Sequence, residues 1–250
     1  MSQSTVQPTA ARLSRPLFFL GISTLILALV VLGFIPTFYL RPVFWSPTLA
    51  HGPTLPTHLL VHGIILTSWF LLLVIQSSLV ATHHIQLHRR LGIVGVALAP
   101  VVVGLSVAAT ISRDAPVFDQ LSRARPLPNL AGLIAFAICV VLALRLRRQP
   151  AAHKRLMIVG SLSILTPATD RLARWITSAT SLDIGAGTAA VGGAGIVLLL
   201  LLALFAYDVR TTKRVHRGTL LGVSAILIGI VSSIALIQTG TWAAIMRAVM

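Results

Sequence analysis

The chain has 250 residues, 56% of them hydrophobic and only 10% charged, with a formal net charge of +15. A soluble domain carries about 25% charged residues, so an ordinary soluble globule is excluded and a single polytopic membrane domain is indicated. The 18 Arg and 2 Lys face five Asp and no Glu. They fall between apolar runs, which fits orientation in a bilayer and not the clustered basic surface of a nucleic-acid binder.

In chain order, residues 1–16 read as a polar cytoplasmic tail. An all-α domain of seven transmembrane helices is expected over 17–240, with spans near 17–40, 57–82, 91–112, 129–146, 155–177, 185–207 and 219–240. The first run is too long for a signal-peptide core, and PTFYLRP follows it instead of a small-residue cleavage site. The second span carries His58, His62, Trp69 and Gln76. Pro100 and Pro167 should kink the third and fifth spans. The lone thiol, Cys139, lies in the fourth and reads as packing. The sixth opens with GAGTAAVGGAG, where Gly185, Ala189 and Gly193 share one helix face and permit close approach. Residues 241–250 form a short outer tail.

Orientation follows from the bases. One face collects 13 of them, from Arg12 and Arg15 through Arg89, Arg90 and Arg145 to Lys213, Arg214 and Arg217. The other collects 7, with four of the five acids. The positive-inside rule then places the N-terminus in the cytoplasm. Trp45, Trp175 and Trp242 fall at outer helix ends, as an interfacial belt requires; Trp69, at mid-span, does not.

A histidine-plus-base step precedes the third, fifth and seventh spans: IQLHRRLG, AAHKRLM and RVHRGTL. His88 to His153 is 65 residues and His153 to His216 is 63, a weak repeat of two-helix units. One reading is orientation alone, with arginines snorkelling to lipid phosphates. The other is a site in which His88, His153 and His216, with Arg89 and Arg155, meet a lipid headgroup, a quinone carbonyl or a haem propionate. Axial haem ligands must approach from opposite faces. An inner haem b could use His88 with His153 or His216.

The outer half of the second span offers another constellation. His58 and His62 stand at i, i+4 and share a face. Asp170, beyond Pro167, is expected at a similar depth. Together these three could hold a transition metal or form a proton relay. The competing reading pairs Asp170 with Arg174 or Arg171 and leaves the histidines bonded across a helix interface. No P-loop, dinucleotide fingerprint, zinc-protease or nucleophile-elbow motif is present.

The early His62 and later Gln76 on one helix, then LHRRLG, then HKRLM leading to Arg171 or Arg174, resemble an uncharacterised family of bacterial multi-pass membrane proteins. The resemblance covers about residues 55–175. It implies a bacterial inner-membrane location and no established reaction. A more distant likeness links the helix-end histidines to haem-bearing or oxidase-assembly membrane proteins. The expected role is histidine-based haem or metal binding in membrane redox chemistry. The alternatives are a proton-coupled carrier at His62 and Asp170, and an assembly subunit without chemistry. Membrane lipids are the expected partners, with a quinone or another membrane protein as candidates and no nucleic acid.

Overall fold

The computed structural model describes residues 9–44, 53–114, 126–179, 186–241 and 244. Trp45, Trp242, Gly185, Asp119, Asp183 and the terminal tails (1–8 and most of 241–250) lie outside the described residues. Every regular element among the described residues is helical. They are α1 (Thr9–Phe34), a π-helical turn (Ile35–Tyr39), α2 (Arg41–Phe44), α3 (Thr57–Ala81), α4 (Ile85–Asp114), α5 (Pro126–Arg145), α6 (Pro150–Ser163), α7 (Thr166–Ala179), α8 (Ala186–Thr212) and α9 (Arg217–Gln238).

Among the described residues, five helical segments are long and apolar enough to cross a membrane: Leu17–Tyr39, Thr57–Ala81, Ile85–Thr110, Val191–Thr212 and Arg217–Leu236. A shorter apolar helix runs over Asn129–Arg145. Their outer surfaces suit a lipid solvent. Ile93 and Val191 are each 72% exposed and Leu199 66%, alongside many other exposed leucines and valines.

The fifth predicted span divides in two. Pro167 lacks the N–H that would bond the carbonyl of Ser163, four residues back, so the chain turns at Ile164–Leu165 and restarts as α7. The freed carbonyl abuts the backbone of Gly132 on α5, where no Cβ intervenes. The Ser163 hydroxyl ties the same place by donating to the Gly132 carbonyl at 2.9 Å. Pro100 behaves otherwise: α4 runs through it without a break, with the ring on an exposed face.

Helices α1, α3, α4, α5 and the broken α6–α7 pack in sequence, and α7 closes back on α1. Helix α9 lies on α5 and α6, while α8 lies on α7 and α6. Trp69 and Phe136 meet edge to face at 4.8 Å in the core. The Trp69 indole N–H donates to the Ser161 hydroxyl at 3.2 Å, which explains a tryptophan far from any interface. Of the small-residue face expected at the start of α8, Gly193 is buried against the backbone of Asp170.

Candidate functional site

The end of the bundle that carries the histidine-plus-base steps is organised by an ion pair. Arg155, on α6, and Asp208, on α8, are both buried. Arg155 Nη2 and Nε approach Asp208 Oδ1 at 2.6 and 2.7 Å. The other carboxylate oxygen faces α9: it accepts from the Thr219 hydroxyl at 2.6 Å and from the His216 backbone N–H at 3.0 Å. A carboxylate at that helix start satisfies an otherwise orphaned donor. Arg155 Nη1 donates to the Ala151 carbonyl at 2.8 Å. The guanidinium is thus committed within the chain, joining α6, α8 and α9.

Each predicted inner histidine has a distinct setting. His153 Nδ1 lies 2.9 Å from the Ala143 carbonyl. A carbonyl only accepts, so Nδ1 carries the proton and Nε2 keeps a free lone pair. His216 has the opposite tautomer: its Nδ1 accepts from the Gly218 N–H at 2.9 Å, so Nε2 carries the proton. Burial and the Arg155 guanidinium hold His216 below the ordinary histidine value, against a smaller upward pull from Asp208. His88 faces His153 edge to face, with ring centroids 6.4 Å apart and planes at 85°. His88 Nδ1 is buried without a hydrogen-bond partner. Arg89 is exposed. Of the five inner residues predicted together, then, His88 and His153 meet as a pair. Arg155 is occupied by Asp208, and the His216 ring turns to its own helix start.

The outer trio is not gathered into a metal centre. Among the described residues, no group of three or more His, Cys, Asp or Glu side chains could hold a metal ion. His58 is exposed in the first turn of α3, while His62 is half-buried and within electrostatic reach of Arg171. Asp170 points toward Gly193 on α8, and its Oδ1 is buried without a partner. The Arg171 guanidinium sits 4.7 Å from the Phe34 ring centroid. The Coulombic partners of Asp170 are Arg174 and Arg171. Helix packing sets the carboxylate against Gly193 of α8.

Sequence reasoning missed Asp208 and Thr219. A signal existed, because Asp208 is the single acid on the face with 13 bases, and an acid at a span end needs a partner. Thr219 had none, since one threonine at a helix start is ordinary. No protein-family model, curated protein or solved structure matches the chain.

Proposed function

We propose that this chain is a seven-span protein of the bacterial inner membrane, with a cytoplasmic N-terminus, that binds haem b through His88 and His153 as part of membrane redox chemistry. The observation that carries this reading is the spacing of the two rings. The centroids of the two rings, on α4 and α6, stand 6.4 Å apart, and these two imidazoles would hold the haem. The His153 tautomer suits the same role, since its Nδ1–H is fixed by the Ala143 carbonyl and Nε2 is left to ligate. His216, with Nδ1 engaged and Nε2 protonated, does not suit it. Bound there, a haem would supply one-electron transfer. The chain's own residues orient the two imidazoles, and the Arg155–Asp208 pair fixes the helix that carries His153.

Seven crossings are supported by counting α5 as a span and the broken α6–α7 as one more, beside the five long apolar segments. The resemblance to the uncharacterised bacterial family enters here only as agreement in the positions of His62, Gln76, His88 and His153.

A second reading has one observation in its favour. The partnerless Asp170 Oδ1 inside a span suits a proton-coupled carrier. Purification after expression with ample haem separates the two. Stoichiometric haem in the preparation supports the first; a colourless protein that catalyses Asp170-dependent proton uptake into vesicles supports the second.

A further inference from the structure

Four buried side-chain polar atoms among the described residues have no hydrogen-bond partner: Thr37 Oγ1, Gln76 Oε1, His88 Nδ1 and Asp170 Oδ1. Two belong to one place. Gln76 is on α3 and His88 on α4, these helices pack together, and the His88 ring interacts with the Gln76 backbone carbonyl. Buried polar groups are nearly always paired, and the bilayer interior offers no water to do so. Two orphans on packed helices, one an acceptor and the other a ring nitrogen that can donate or accept, describe a ligand by its complement.

We propose that Gln76 and His88 form the polar end of a binding site for the headgroup of a lipid-soluble quinone or quinol. A quinone carbonyl accepts from His88 Nδ1–H, and a quinol hydroxyl donates to Gln76 Oε1. Each redox form thus finds a partner. A phospholipid headgroup fits less well, because its phosphate would seek the exposed Arg89 and Arg90 over a neutral amide. An open cavity of about 410 Å³, lined by His83, His84, Ile85, Gln86, Leu87 and Arg90, lies at the α3–α4 turn, at the start of the helix that carries His88. This site and the haem reading share His88, and Nδ1 is the nitrogen this site uses.

The test is a titration of the full chain in lipid nanodiscs with a short-chain benzoquinone, read by quenching of tryptophan fluorescence. Trp69 lies seven residues from Gln76 on the same face of α3, about 10 Å along the axis. The expected result is a saturable component that weakens about tenfold in Gln76→Leu and again in His88→Leu, one hydrogen bond each. Gln149→Leu, at an exposed position of the α5–α6 turn, should bind as the wild type does. Gln76→Leu keeps the side-chain volume and removes an orphan, so it should fold; its melting temperature is measured alongside. Quenching that only rises linearly, as from partition into lipid, overturns the proposal. So does wild-type affinity in both variants, which would leave the orphans to a buried water. Preparations lacking haem should bind equally, so failure here and failure of the haem assignment are read separately.

Discussion

Removing the Asp208 carboxylate should be among the most damaging single changes in this protein. Asp208→Ala deletes the partner of Arg155 Nη2 and Nε at 2.6 and 2.7 Å. It also deletes the acceptor for the Thr219 hydroxyl at 2.6 Å and the His216 N–H at 3.0 Å. Arg155 is left buried and uncompensated, a situation that costs about 3–5 kcal/mol. For a chain of this size that corresponds to a melting temperature lower by about 6–20 °C. The assay is thermal unfolding in detergent, followed by helical circular dichroism, for Asp208→Ala, Arg155→Ala and the double variant. The double variant should lose no more than either single one, because both charges are gone together. Arg145→Ala, at an exposed position of the same end, should change little. Singles that melt within about 2 °C of the wild type, or a double whose loss is the sum of the two, would refute the reasoning.

Other outcomes follow from the same geometry. His216 is held below its ordinary value in the folded chain, so the unfolded chain takes up a proton first as pH falls. The His216 contribution to stability is then full above pH ~6.5 and is lost as pH falls from there through the folded value; the wild type should lose thermal stability over that window more steeply than His216→Gln. A Cβ at position 193 would stand 2.7 Å from the Asp170 backbone nitrogen, so Gly193→Val should cost about 1–3 kcal/mol through separation of α7 and α8, read as folded yield and melting temperature. Gly195→Ala, which meets open space, should be tolerated. A reporter inserted after the exposed Gln149 should be cytoplasmic and one fused after Met250 periplasmic; inverted results at both sites would reverse the assigned orientation.

The helical architecture was legible because apolar runs of membrane length leave little choice of element. Pro167 and Pro100 show where that legibility ends. Each removes one backbone bond, but only at Pro167 does a neighbouring helix make room for a break: Gly132 lets the freed Ser163 carbonyl approach and accepts a hydrogen bond from the Ser163 hydroxyl. The histidine steps at His88 and His153 could be found by spacing, yet nothing in the spacing separates His153 from His216. That distinction rests on which nitrogen faces a carbonyl and which faces an N–H, a property of the folded backbone. His58, His62 and Asp170 looked like a site because helical depth was read without rotation about the helix axis. The rotation of α7 turns Asp170 to Gly193. Asp208 was visible as a lone acid among bases, but its partner could be named only once α6, α8 and α9 were side by side.

The pairing of His88 with His153 is tested most directly by electron paramagnetic resonance of the oxidised, haem-loaded protein. With His88 and His153 holding the haem, the protein should give the low-spin signal of two imidazole ligands. His88→Ala and His153→Ala should each abolish that signal, while His216→Ala retains it. A wild-type protein that takes up no haem, or one whose low-spin signal survives loss of either His88 or His153, would contradict the assignment.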